Sequence, residues 1–203
     1  MRHDASNPVP PRRLMLGAAA AGLLAAAGVP AARAAQGAQA AQAAALLAAM
    51  DQATTVQQGR GGRRLYVFFD PNCPYCHQLY LKLTPRLARD ELQVHWVALG
   101  MLSASSLPKA AAILQAPDRL KAFEINEHDY DFAANGQPGG GILPAATIEP
   151  QTRRLLQRNL DIYRSQKLFG VPVMVWKQRG GQAQMMVGVP SDQQLHAILA
   201  GLA

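Results

Sequence analysis

Leu65-Tyr66-Val67-Phe68-Phe69-Asp70-Pro71-Asn72-Cys73-Pro74-Tyr75-Cys76 is the stretch from which the fold can be read. Its five leading apolar and aromatic residues have the length and composition of a buried β-strand. Asp70-Pro71-Asn72 predicts a turn. From Cys73 the pattern becomes helical: Leu79, Leu83 and Leu87 recur every four residues with Tyr80 beside them, and Pro85 predicts a kink in the run. Cys73 therefore stands where a strand feeds a helix. A helix N-terminus presents unpaired N–H groups and the positive end of the dipole, so a thiolate is favoured there. Cys73 and Cys76 are the only two cysteines of the chain, and the two residues between them allow a small disulfide ring. The pattern suits reversible dithiol–disulfide chemistry, with the first sulfur exposed and the second one turn inside.

Working outward, residues 35–58 are rich in Ala and Gln and predict a helix or a leader, broken by Gly59 to Gly62. Gln93 to Leu99 predicts a second strand, with Val94, Trp96 and Ala98 alternating against Gln93, His95 and Val97. Leu107 to Leu114 and Pro117 to Phe123 predict two short helices, the second opened by Pro117-Asp118. Residues 127–144, with Asn135-Gly136 and Pro138 to Gly141, predict an exposed loop. Thr152 is placed to cap a helix carrying Leu155, Leu156, Leu160 and Tyr163 and ending near Gly170. Val171 to Trp176 predicts a strand with Pro172 at its start, where proline is tolerated. Gly180-Gly181 turns the chain into Gln184 to Gly188, a hairpin partner. Ser191-Asp192 opens a last helix with Leu195, Ile198 and Leu199. The order strand, helix, strand, helical insert, helix, strand, strand, helix predicts an α/β sheet covered by helices. Its βαβ start and ββα end match the thioredoxin fold, here with a helical insertion at about 103–150 inside a catalytic domain of residues 63–203.

The first 34 residues read as a secretory signal. Arg12-Arg13 precedes Leu14-Met15-Leu16-Gly17 and a long Ala/Leu/Gly run, and Ala32-Arg33-Ala34 supplies a small-x-small cleavage site. Paired arginines also admit a twin-arginine route, though Pro11 precedes the pair and no basic residue follows the apolar core. An uncleaved anchor is the competing reading, disfavoured by the Ala-rich run and the cleavage-like site. A lipoprotein anchor is excluded, since no cysteine lies nearby. Residues 35–62 then form an Ala/Gln-rich leader and linker helix. Four arginines and one aspartate of the formal +7 belong to the leader, which leaves 16 basic and 12 acidic residues, a net +4. That charge is spread along the chain and does not imply nucleic acid. Arg60, Arg63 and Arg64, its densest cluster, read as solvated residues where a strand begins. Export places the cysteines in an oxidising space, where disulfides persist.

Phe68-Phe69-Asp70-Pro71-Asn72-Cys73-Pro74-Tyr75-Cys76 resembles the active-site strand and motif of periplasmic thiol:disulfide interchange proteins of the DsbC/DsbG type, with Cys-Pro-Tyr-Cys on the DsbG side. Gly100-Met101, Ala110 to Leu114, Gly170-Val171-Pro172-Val173 and Gly188-Val189-Pro190 extend the resemblance over about residues 60–203. It implies Cys73 as nucleophile, Cys76 as resolving thiol, Pro74, Tyr75 and His77 shaping the site, and a cis Pro172 that leaves the Val171 backbone free to pair with an extended substrate. It implies cysteines of exported proteins as substrates, a redox-active disulfide in place of a cofactor, and a DsbD-like membrane reductant as partner. Two departures stand out. Only about thirty residues between the predicted cleavage site and the first strand precede the domain, too few for the family's N-terminal dimerisation domain, so a monomer is expected. Val171 stands where DsbC and DsbG typically have Thr, which is similar to the oxidant DsbA and its quinone-linked, DsbB-like partner.

Other chemistries fit parts of the motif. Cys73-Pro74-Tyr75-Cys76-His77 also matches the c-type haem attachment pattern, with Met174, Met185 or Met186 as a further ligand. The apolar strand before it and the thioredoxin plan after it weigh against haem, and His77 is then expected on the helix surface near Cys76. A purely structural disulfide would close a short loop of small entropic value. Metal binding by the pair with His77 would need wider spacing and a distant histidine, so no metal site is expected. His95, His128 and His196 show no ligand spacing. Trp96, Trp176 and the Met185-Met186 pair are expected to pack against the sheet.

Overall fold

The computed structural model describes residues 28–131 and 139–203, with side chains from Ala34 onward. Most of the predicted leader and the Asn135-Gly136 turn lie outside the described residues. Five strands form one sheet: β1 Thr55–Gln58, β2 Arg63–Phe69, β3 Leu92–Ala98, β4 Val173–Lys177 and β5 Ala183–Val187, in the order β1-β3-β2-β4-β5. β2 and β3 run parallel, with Phe69 opposite Ala98, and the other neighbours are antiparallel. The parallel pair needs a crossover. Helix α2, Pro74–Leu83, supplies it. It stops where Pro85 removes an N–H, and Thr84–Arg86 continues as a tight 3-10 turn, which is the predicted kink.

Successive residues of β2 face opposite sides of the sheet, so Phe68 and Phe69 anchor two different layers. Phe69 meets Trp96 of β3 and Phe123 edge-on, with ring centroids 5.8 Å and 5.1 Å away, and Tyr80 of α2 lies 5.7 Å from Phe123. Phe123 belongs to α4, Arg119–His128, which with α3, Ser106–Gln115, makes the helical insert. The insert is therefore fastened to the α2 side of the sheet through the buried Phe123. Phe68 instead packs on Tyr163 of α5, Pro150–Ser165. Helix α1, Gly28–Ala49, packs against β4, β5 and α5 with its C-terminal half, burying Ala43 and Leu46, while residues 34–41 are exposed. Helix α6, Asp192–Gly201, closes the domain and opens with a full capping box between Ser191 and Gln194. Trp96, Trp176 and Met185 are buried as expected.

The structure corrects the sequence reading in several places. The Ala/Gln-rich segment is not helical to residue 58: α1 ends at Ala49, and Thr55–Gln58 form strand β1 at the sheet edge. Thr54-Thr55-Val56 is β-branched and disfavours helix, and β3 offers a free edge to pair with. The buried Gln58 accepts a hydrogen bond from the Trp96 indole at 3.1 Å. Helix α5 begins at Glu149 and Pro150, not at Thr152, which is buried in its first turn. Pro150 is pre-set for a first helical position. Arg60 and Arg64 are exposed, but Arg63 is half-buried and donates to the Asp90 carbonyl at 3.0 Å. The stretch 127–144 is not all exposed loop. Residues 127–128 complete α4, and Gly139 and Gly140 are buried.

Candidate active site

Cys73 is the N-cap residue of α2, and Pro74 occupies the first helical turn. The Cys73 carbonyl accepts from the N–H groups of Cys76 and His77 at 3.0 and 3.2 Å, which pins the first turn around it. The Val171–Pro172 peptide is cis, as the resemblance implies. It brings the Val171 carbonyl to 3.5 Å from Cys73 Sγ. That loop covers the first sulfur: Cys73 is only 3 % exposed, against the expectation of an exposed thiol, whereas Tyr75 beside it is 59 % exposed. Cys76 is 1 % exposed, inside the helix as expected. Both cysteines carry free thiols.

The two thiols differ in acidity, and each has its own cause. The Cys76 thiol donates toward Cys73 and holds it below the ordinary thiol range. Burial opposes this, the N–H groups of Cys76 and Tyr75 add to it, and the nearby Asp70 charge opposes it weakly. Cys76 is pushed well above the ordinary range, first by burial, then by the hydrogen bond and charge of Cys73, and further by the Glu127 carboxylate. The pair is therefore one acidic and one reluctant thiol.

The turn that presents Cys73 is held by a buried carboxylate. Asp70 Oδ1 accepts from the Asn72 N–H at 3.0 Å and the Ser106 hydroxyl at 2.6 Å, and its Oδ2 from the N–H groups of Met101 and Leu102 at 2.8 and 3.1 Å. Asn72 extends the network to the insert, donating to the Ser103 and Ser105 hydroxyls at 2.7 and 2.8 Å and accepting from Lys109 Nζ at 2.9 Å. Lys109 also donates to the Gly140 carbonyl at 2.6 Å, and the Gly140 N–H donates to the Pro71 carbonyl at 2.9 Å. Burial lowers the affinity of Lys109 for its proton. A Cβ at Gly139 would collide with the Asn72 side chain, and one at Gly140 with the Asn126 amide. Only glycine lets this strand lie against the turn.

His77 is a correction. It was expected on the helix surface, and it is buried, with its Nδ1 3.1 Å from Glu127 Oε2. The Tyr130 ring stacks on the imidazole, with centroids 4.4 Å apart and planes 17° from parallel. Tyr130 donates its hydroxyl to the Asn72 carbonyl at 2.9 Å. The insert folds over the face of α2 that sequence periodicity leaves open, so the histidine is enclosed. His95 lies half-buried on β3, and His128 and His196 are exposed, with His128 Nε2 2.9 Å from the Tyr80 hydroxyl.

A groove of about 690 Å3 runs from Tyr75 and Gln78 past Val171 to Gly188, Val189 and Pro190. The site residues named from the sequence, Cys73, Pro74, Tyr75, Cys76, Val171 and Pro172, thus meet at one end of α2 and of the sheet. Asp70 and Asn72 were read only as a turn, and Lys109, Glu127 and Tyr130 escaped the sequence reading. An Asp two residues before an Asn is an Asx-turn signal and could have marked Asp70. Nothing local marks Glu127 or Tyr130.

A family model described as a thioredoxin-like domain matches residues 50–203. The chain belongs to this thioredoxin-like family. It is similar to the thiol:disulfide interchange protein DsbG of Pseudomonas aeruginosa, 29 % identical over 152 residues, which are 74 % of this chain and 57 % of that protein. Against DsbG of Escherichia coli K12 the identity is 25 % over 135 residues, 66 % of this chain and 52 % of that protein. The chain thus spans about half the length of the DsbG relatives it matches. Among solved structures, a linker-deletion variant of Proteus mirabilis ScsC superposes with a TM-score of 0.61 at 21 % identity, over 89 % of this chain and 97 % of that one. That likeness supports the thioredoxin-like fold, and the five-stranded sheet with helices α3 and α4 inserted after β3 is its form here.

Proposed function

We propose that this chain is a cofactor-free periplasmic thiol:disulfide oxidoreductase acting on cysteines of exported proteins. The observation that carries the reading is the unequal pair at the start of α2, with Cys73 made acidic and Cys76 held protonated. Cys73 is the nucleophile. Its thiolate attacks a substrate disulfide, a mixed disulfide forms, and the departing substrate sulfur takes up a proton. Cys76 then attacks Cys73 Sγ and releases the second substrate sulfur, leaving the Cys73–Cys76 disulfide. Pro74 and Tyr75 shape the ring, His77 backs it, and Val171, set by the cis Pro172, lines the groove in which an extended substrate segment lies. The burial of His77 beneath the stacked Tyr130 ring supports thiol chemistry over haem ligation, since a haem would have to displace that ring to reach the imidazole.

The direction assigned is reduction or rearrangement of disulfides, or reduction of sulfenic acids, as in DsbG-like proteins, with electrons from a DsbD-like membrane partner. Disulfide donation, as by DsbA, is the alternative, which Val171 before Pro172 favours. Export is by a cleavable signal, with the general secretory route ahead of the twin-arginine route. A monomer is expected, and light scattering on mature protein tests it; a stable dimer refutes it. The deciding experiment is the equilibrium reduction potential of the Cys73–Cys76 pair against glutathione. A value below roughly −200 mV fits a reductant, and one near roughly −120 mV fits a donor. A pair that does not titrate ends the enzyme reading.

A further inference from the structure

The sequence reading spreads the net +4 along the chain, but the structure gathers most of it on one face. Helix α5 carries Arg153, Arg154, Arg158 and Arg164 against the single acid Asp161, which is three of those four charges. Lys167 follows the helix by two residues, and Glu149 precedes it. The four arginines, Lys167 and Asp161 are all exposed. At about 100° per residue, the arginines fall within about 140° of the helix circumference. They lie opposite the buried Leu156, Asn159 and Tyr163. None of the five cations forms an ion pair among the described residues. Asp161 is taken by an amide instead, with Gln157 Nε2 donating to it at 2.7 Å. Arg154 and Arg158 line a groove of about 420 Å3 with Gln52 of the turn after α1. The dithiol chemistry uses none of these groups. An unpaired guanidinium is weakly hydrated, and its planar fork matches phosphate oxygens two at a time.

We propose that the outer face of α5 is a docking surface for anionic membrane lipids, with its guanidinium groups on headgroup phosphates and Phe169 inserted beside them. The inference is independent of the thiol chemistry. Two observations favour a lipid surface over an acidic protein. The arginines are strung along about 16 Å of helix rather than gathered in a pocket. Mobile headgroups can meet each of them in turn, whereas a protein would need acids at matching fixed places. Phe169, two residues beyond Lys167, is 85 % exposed, and the Tyr163 hydroxyl holds the Gly170 carbonyl that follows it at 2.8 Å. An aromatic side chain presented next to cations gains by burial at the boundary of headgroups and acyl chains. No helix among the described residues is long and apolar enough to cross a membrane, so the contact is peripheral. Helix α5 packs on the Phe68 layer and α2 on the Phe69 layer, so docking through α5 leaves the redox helix on the far side of the sheet.

The test is flotation of the mature protein, freed of its apolar leader, with vesicles of phosphatidylglycerol and phosphatidylethanolamine, against vesicles of phosphatidylcholine alone. Binding is expected to the anionic vesicles only, and to be lost at about 1 M salt, where charges are screened within about 3 Å. Arg154→Gln combined with Arg158→Gln is expected to weaken it about 25-fold, since each cation near an anionic surface contributes about fivefold. Glutamine keeps the helix propensity, and both positions are exposed, so the fold is retained. Arg60→Gln combined with Arg64→Gln removes the same charge from exposed positions outside α5 and is expected to bind as wild type does. Phe169→Ala is expected to weaken binding about tenfold by losing the buried ring.

Equal losses in the two double variants would make the contact one of net charge and overturn the proposal. So would equal binding to phosphatidylcholine, or a Phe169→Ala protein that binds as tightly as wild type. Absence of vesicle binding overturns it as well, and capture of polyglutamate in that case assigns the face to an acidic protein. None of these outcomes touches the dithiol reading, which the reduction potential decides.

Discussion

The strand-to-helix turn at residues 65–77 and the insert ending at residues 126–141 build one site by different means. The first is local. A β-type run, an Asx turn and a proline in the first helical turn suffice to put Cys73 at a helix N-terminus, and the acidity of its thiol follows largely from groups within three residues. The second is long-range. Asn126, Glu127, Tyr130 and Gly140 reach the site only because Phe123 fastens α4 to the sheet and the chain then returns to hydrogen-bond the Asp70–Asn72 turn. The difference teaches that the reactive sulfur belongs to the local motif, whereas its surroundings belong to the insertion.

The comparison breaks most severely at the local end. Cys73→Ser is expected to abolish exchange altogether, while Cys76→Ser keeps the first attack and accumulates the mixed disulfide; mass spectrometry after mixing with a disulfide peptide checks both. A Cys76→Ser protein that turns over normally would reverse the assignment. Next comes the difference in acidity. Because Cys73 is held below its ordinary pKa of 9.0, its alkylation by iodoacetamide should reach half-maximal rate below pH 9, with Cys76 unmodified throughout that range. A single midpoint shared by both would remove the asymmetry. The sign also fixes a stability trend. A depressed folded-state pKa favours the reduced fold above pH 9, and that contribution is lost as pH falls through the Cys73 value. Cys76 acts in reverse at alkaline pH, since its folded-state pKa is raised.

Asp70→Ala joins the two regions in one loss. It leaves the N–H groups of Asn72, Met101 and Leu102 without their acceptor, and is expected to cost about 3 kcal/mol in urea unfolding. Gly140→Ala probes the insert alone. Its Cβ meets the Asn126 amide, so about 2 kcal/mol of destabilisation is expected with Cys73 alkylation retained. A neutral effect would mean that the returning strand is loosely held. Ser191→Ala lies outside both regions and removes the capping box of α6 for about 1 kcal/mol, without altering the chemistry at Cys73.

Strands β2 to β5, the redox helix and the last helix were legible because hydrophobic runs, turn residues and capping residues agree there. Leu65–Phe69, Val171–Trp176 and the Ser191 cap each lie close to their observed elements. The edge strand Thr55–Gln58 was not legible, because its polar glutamines resemble the helix before them and only pairing with β3 makes it a strand. His77 misled for a similar reason: helical periodicity places it beside the apolar stripe, and what buries it comes from fifty residues further along.

By itself the sequence determined that two cysteines flank a proline and a tyrosine at the start of a helix fed by a buried strand, because those signals are carried by neighbours in the chain. Only the tertiary structure decided that Val171 covers the first sulfur, that Asp70 is buried under four hydrogen bonds, and that a carboxylate stands behind the second thiol. Burial and electric fields depend on which distant side chains exclude water, and no local pattern records that.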